Sequence, residues 1–308
     1  MKRLLSIDYI KVIAISLVVI GHCHYGRGNI YLSSIICMCV PLFFALNGSL
    51  LLAKERTYEY YIPKLFKILV LILFWGLASN WVASWVNGEH YTIKQSVFDL
   101  INLRLGYCNH LWFLFTLFIL YLIYPLVQTL VEKKQTMWLS LVVICIFTLT
   151  SGVSRYIYQF NPLSGWHSYA LAYALGGFAI TKLNLRSKWY PAVTFVLALV
   201  AQIIYNYFLD DKSTMHFDGI KTPFVYVETL SFIKFFSMIK LNSNKVIDLI
   251  ARNTLGIYLI HWFFTLYISQ HEYTSSFRHF LPIGIIIISC AICWLMNKNK
   301  YTKWLISI

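Results

Sequence analysis

The chain has 308 residues, enough for one large soluble domain or two small ones. Its composition excludes both: hydrophobic residues make up 59% and charged residues only 12%, about half the roughly 25% charged share of a soluble domain. The net charge of +14 does not signal nucleic acid, because the Lys and Arg residues are scattered between apolar segments and form no continuous patch; orientation in a membrane accounts for them, and no nucleic-acid partner is expected.

Apolar stretches of near-span length follow one another at 7–26, 31–53, 62–86, 111–131, 136–153, 166–182, 189–209, 220–240, 249–270 and 279–297. The first, in MKRLLSIDYIKVIAISLVVIGHCHY, has the basic start and apolar run of a signal peptide. It lacks a small-residue cleavage site and a second full span follows it, so it reads as a helix that stays. Connectors are short; the longest, 87–110, predicts a short amphipathic helix near Ile93–Leu103. No motif repeats between the halves. The expected fold is an all-α membrane protein, residues 1–308 forming one domain, a polytopic bundle of about ten transmembrane helices.

Sidedness tests that count. With the N-terminus inside, seventeen of the 26 basic residues fall on the cytoplasmic side, seven fall outside, and Lys11 and Lys234 lie within spans. Both termini are then cytoplasmic. The same topology puts all nine histidines outside or in the outer half of a span. Histidine is the natural proton-transfer group near neutral pH, so any proton handling belongs to that half. The cysteines fall mostly in apolar runs, and Cys290-x-x-Cys293 has no partner pair elsewhere. They read as small buried hydrophobes, and no metal is expected.

Ionisable groups inside a span are costly and point to function. The first helix carries Asp8, Lys11 and His22. Eleven residues separate the last two, close to three turns, so both project from nearly one face about 16 Å apart, with Asp8 one turn before Lys11. His24 points to nearly the opposite face. Interfacial anchoring by Asp8 and Lys11, with His22 as a packed histidine, is the alternative.

At this point IDYIKVIAISLVVIGHCH resembles the opening helix of the acyltransferase-3 family of integral-membrane acyltransferases, in which a basic residue precedes a histidine by eleven positions. VPLFFALNGSLLL (40–52) is similar to the family's V-P-L-F-F-x-x-S-G segment, with Asn47 in place of serine. HLWFLFTLFILYLIYPLVQ (110–128) and RNTLGIYLIHWFF (252–264) are similar to two later family segments, the second ending near His261. The short length and the HLWF block look most like O-acetyltransferases of bacterial surface polysaccharides, of the enterobacterial common antigen type.

The resemblance implies transfer of an acyl group, usually acetyl from acetyl-CoA, to a hydroxyl of a surface glycan or its lipid-linked precursor, in the bacterial cytoplasmic membrane. It makes His22 the catalytic residue, acting as general base or as transient acyl carrier. The family's R-x-x-R donor motif, in the loop after the second helix, corresponds to Lys64 and Lys67 here. Lysine keeps the charge but loses the bidentate fork of arginine. Lys54, Arg56, Lys64 and Lys67 are also the densest cytoplasmic basic group, suited either to a phosphate-rich acyl-CoA or to anionic membrane lipids. Lys11 is expected to steer the donor or to hold Asp8, and His261 to position the acceptor or relay a proton.

Three further sites are expected beside these. Asn47 adjoins the donor side, where Gly48 permits close helix approach. His110 and Trp112 open the fourth span at the outer interface, either as an aromatic belt or as a platform for a sugar. Glu228 lies within a span with Lys221 two turns earlier, which reads as an ion pair or as an acceptor contact. The rival function is an exporter or flippase of a polysaccharide or lipid-linked intermediate. That reading wants paired broken spans in corresponding halves, and the sequence shows none.

Overall fold

The computed structural model describes residues 4–23, 29–88, 92–101, 106–149, 166–209, 222–269 and 275–308, and these contain helices and no strand. In chain order the helices are α1 (Leu5–His22), α2 (Ile30–Ile36), α3 (Cys39–Leu51), α4 (Tyr58–Asn87) and α5 (Ile93–Ile101). A 3-10 segment, Gly106–Leu111, leads into α6 (Trp112–Val131) and α7 (Lys134–Leu149). Then come α8 (Trp166–Lys182), α9 (Trp189–Leu209), α10 (Pro223–Met238), α11 (Lys245–Arg252), α12 (Thr254–Ser269), α13 (Ser275–Met296) and α14 (Lys300–Trp304). The amphipathic helix expected in the long connector is α5.

Among the described residues, five stretches are long and apolar enough to cross a membrane: Leu5–His22, Ile30–Leu51, Tyr58–Val86, Cys108–Val131 and Trp189–Phe208. Shorter apolar helices occupy Lys134–Ile146, Thr254–Ile268 and Phe280–Met296. Their outward faces are apolar as well. Leu69, Leu73, Trp81 and Trp85 on α4, and Val193, Leu197, Val200 and Ile204 on α9, are all exposed. Helices with apolar residues on the outside as well as the inside require lipid around them.

The stretch expected as one span at 31–53 is one apolar stretch, Ile30–Leu51, broken within it into α2 and α3 at Cys37–Met38. Pro41 gives the reason. It has no N–H to offer Cys37, and its ring crowds the Cys37 carbonyl four residues back.

The chain forms two compact units: Met1–Glu55 with Ile123–Arg252, and Arg56–Leu122 with Asn253–Ile308. In the first, α3 and α8 cross backbone on backbone. A Cβ on Gly48 would stand 2.0 Å from the Ala174 carbonyl oxygen, and one on Gly177 would stand 1.9 Å from that of Ala45. The contact is reciprocal and built from Ala45-x-x-Gly48 and Ala174-x-x-Gly177, so the close approach expected at Gly48 is what α8 uses. A partly buried polar chain ties α10, α9 and α2 together. Thr222 donates to Gln202 (2.6 Å), Gln202 to Asn206 (2.9 Å), Asn206 to Ser34 (3.0 Å) and Ser34 to the Ile30 carbonyl (2.8 Å). Each donor has its acceptor, as low-dielectric surroundings demand.

The second unit is arranged around α4. Gly76 leaves room for Leu100 of α5, whose side chain a Cβ would meet at 2.7 Å. The C-terminal segment returns to the same helix: Trp75 Nε1 donates to the Leu305 carbonyl (2.8 Å), and Ile306 is buried beside Gly256 and Cys293. Cys290 and Cys293 are buried free thiols.

Candidate functional site

The first unit contains the Lys11–His22 row. Along α1, Lys11, Ala14, Ile15, Val18 and His22 follow one face, because steps of three and four residues return to the same side of a helix. Ala14, Ile15 and Val18 are buried, while Lys11 and His22 at the two ends are half-buried. Asp8, one turn before Lys11, is buried. The helix is therefore turned so that its two basic groups lie on the packed side, against α2, α3, α10 and α11 of the same unit. Tyr9 fixes its start by donating to the Asn242 carbonyl at 3.0 Å.

Asn47 of α3 accepts a 2.7 Å hydrogen bond from Tyr124 of α6, which orients its amide. One turn further along α6, Gln128 donates to the carbonyls of Leu51 and Lys54 and closes the end of α3. Glu228 of α10 is 0% exposed, and neither carboxylate oxygen has a hydrogen-bond partner among the described residues. Lys221, its expected partner, lies outside the described residues, as do His24, His90, His216 and His271. Lys234, the other basic residue expected within a span, donates to the Leu183 carbonyl just past the end of α8, where a cation meets the negative end of the helix.

The second unit brings His110 and His261 together. His261, on α12, is 0% exposed, and His110 is 2% exposed. Their ring centroids stand 6.5 Å apart and nearly perpendicular. Trp262 stacks on His110 at 4.7 Å, and Tyr258 lies 5.9 Å from each histidine ring. The Tyr258 hydroxyl donates to the His110 carbonyl. Cys108 anchors the 3-10 segment to α4, its thiol bonding the Gly76 carbonyl (3.2 Å) and Asn80 Oδ1 (3.1 Å). His110 was expected to open the fourth span at the outer interface. It does lie near the start of the apolar stretch Cys108–Val131, in the 3-10 segment before α6, but buried in an aromatic cluster, while Trp112 begins α6 half-buried.

His261 Nδ1 lies 3.1 Å from the Ile257 carbonyl oxygen. A carbonyl only accepts, so Nδ1 carries the proton and Nε2 is the lone-pair nitrogen of the neutral ring. That is the form able to take a proton from a hydroxyl. Sequence reasoning missed Tyr258 and Trp262. Their signal was positional: residues 258, 261 and 262 share a helix face at spacings of three and four.

Lys64 and Lys67 were expected in a loop, but both lie within α4, one turn apart and half-buried. The helix begins at Tyr58, five residues ahead of Pro63, and so carries the motif on a rigid element. Arg56 and Lys64 converge on the Tyr60 ring, at 3.9 and 5.2 Å. Lys67 donates to Ser307 Oγ at 3.1 Å and stands 5.0 Å over Trp304, so the C-terminal segment already engages it.

A family model described as an acyltransferase domain, Acyltransferase-3, matches residues 4–298. The chain belongs to that family. It is a membrane acyltransferase, and the family match runs through α1, α4, the 3-10 segment Gly106–Leu111 and α12, which carry the two histidine sites and the K-x-x-K pair. No curated protein and no solved structure matches the chain.

Proposed function

We propose that the protein is an O-acyltransferase, most simply an O-acetyltransferase, that moves an acyl group from cytoplasmic acyl-CoA to a hydroxyl of a bacterial surface glycan or its lipid-linked precursor. The observation that carries this reading is the Lys11–His22 row on the packed face of α1, within a chain of the acyltransferase-3 family. The HLWF block, similar to that of O-acetyltransferases of the enterobacterial common antigen type, supports a polysaccharide acceptor. The topology that goes with it has ten crossings, both termini cytoplasmic, in the bacterial inner membrane.

In this reading His22 removes the proton from the acceptor hydroxyl. The alkoxide oxygen attacks the thioester carbonyl, the carbon–sulfur bond breaks, and the proton passes to the departing CoA thiolate. His22 could equally take the acyl group on nitrogen and pass it on. Lys11 and Asp8 hold the charge balance on the same helix. His261, with Nε2 as its basic nitrogen, is a second proton relay. Lys64, Lys67 and Asn47 meet the donor. His110, Trp112 and Glu228 meet the acceptor, and Trp262 and Tyr258 pack against the His110 ring.

The test uses inverted membrane vesicles containing the full chain, supplied with acetyl-CoA labelled in the acetyl group. Label should enter the glycan fraction, and envelope glycans should gain one acetyl mass. An exporter or flippase would leave the thioester intact and move unlabelled glycan.

A further inference from the structure

A cavity of about 730 Å³ opens in the first unit where the ends of α3, α6 and α8 meet the start of α7. That volume lies within the ~300–1,000 Å³ range of small-molecule sites. Neither the Lys11–His22 row nor the K-x-x-K pair lines it. Its floor is buried and apolar, formed by Leu52, Val131, Met137 and Phe178.

The rim is exposed and charged. Lys134 at the start of α7 and Lys182 at the end of α8 supply two ammonium groups, and Lys182 Nζ stands 5.3 Å over the Phe178 ring. Trp138, one turn after Lys134, adds an exposed indole. Glu55 and Glu132 add two carboxylates. The charged lining thus balances two ammonium groups with two carboxylates. The first turn of α7 borders the cavity, and first-turn N–H groups have no acceptor within their own helix. They favour an anion there.

An exposed indole over an apolar floor, beside two ammonium groups, suits a ligand that joins a flat base to phosphates. A bare phosphate would leave the indole and the floor unused, and an acyl chain alone would leave the lysines unused. The two carboxylates match the ribose 2′-hydroxyl and the exocyclic amine, both of which donate hydrogen bonds. We propose that this cavity holds the nucleotide end of the acyl-CoA donor, the adenine against Trp138 and the phosphates on Lys134 and Lys182. The proposal rests on the acyl-CoA reading above and names where that donor's nucleotide binds.

The experiment has a binding arm and a kinetic arm, both on the purified full chain in nanodiscs. In the first, adenosine 3′,5′-bisphosphate is titrated by calorimetry into wild type, Lys134→Gln/Lys182→Gln and Trp138→Ala. Loss of one charge-assisted phosphate contact, or of the stacking indole, should weaken binding by about tenfold or more. In the second, the KM for acetyl-CoA is compared with that for S-acetyl-pantetheine, which has the thioester but no nucleotide. Wild type should favour acetyl-CoA strongly, and the variants should bring the KM ratio toward one.

Wild type that fails to bind the bisphosphate, or variants that keep both its affinity and the KM ratio, would overturn the proposal. So would variants that instead lose phosphatidylglycerol in native mass spectrometry, because the cavity would then be a lipid site. Nucleotide binding that depends on these residues, without transfer of label from either donor, would uphold the cavity and remove the transferase reading.

Discussion

In the first unit, Lys11 and His22 share a face because eleven residues of one helix return the chain to nearly the same direction. In the second, His110 and His261 meet because a 3-10 segment is pinned to α4 by Cys108 and tied to α12 by a tyrosine 148 residues away from His110 in sequence. One arrangement needs only an unbroken helix. The other needs several separate tethers. A histidine at the end of a helix can be replaced by alanine without breaking the backbone hydrogen bonds that form the helix, so its loss reports chiefly on chemistry. A histidine held by tethers reports on chemistry and on architecture together, and the two must be separated by changing the tethers.

The largest effect is expected at His22. His22→Ala should lower acyl transfer by about 10²–10⁴-fold, the usual cost of losing a general base. The half-buried side chain lies at the end of its helix, so the amount of protein in the membrane fraction should not change. Label transfer and immunoblotting of the same membranes measure both. Near-normal transfer in that variant would show that the row on α1 is packing only, and the comparison would reduce to the second unit.

A smaller effect is expected at the other end of the row. Lys11→Ala should reduce transfer by roughly ten- to hundredfold, the range for one charge-assisted hydrogen bond of about 1.5–3 kcal/mol. Lys11→Arg should restore most of it, because the charge stays on the same face. If Arg fails as badly as Ala, the ammonium's shape matters more than its charge, and the row must be a fitted contact instead of a field.

These residues were legible in the sequence because the helical period is a local rule. Lys11 and His22 can be placed on one face by counting, and α1 places them so. Gly48 was legible as a close approach, although its counterpart Gly177 emerges only when α3 and α8 are seen to cross. His110 was legible as a candidate, but its burial was not. Its depth is decided by Cys108 reaching Gly76 and Asn80, and nothing near residue 110 encodes that docking. Lys67 was misplaced as well. The family motif lies in a loop, which put the lysine there too, but α4 starts at Tyr58 and the C-terminal segment folds back to meet the lysine. The break at Cys37–Met38 was written in Pro41, which an apolar count passes over.

The smallest effect is expected at the tether itself. Tyr258→Phe keeps the ring that faces His110, His261 and Phe113 and removes only the hydroxyl that donates to the His110 carbonyl. A buried carbonyl deprived of that donor costs about 1–3 kcal/mol of stability, which should lower the midpoint of thermal unfolding in detergent. The His110 ring is still held by the Trp262 stack. Its displacement should therefore be slight, and transfer should fall by less than about tenfold, a loss under ~1.4 kcal/mol. The loss should fall on the acceptor KM and leave kcat nearly untouched, since a tether positions a group without touching the reacting atoms. Trp262→Leu removes the stack instead and should shift the same KM further in the same direction. A fall in kcat comparable to that of His22→Ala would place the Tyr258 hydroxyl in the reaction itself, and the second unit would then hold a reacting group of its own, not a pair positioned by its tethers.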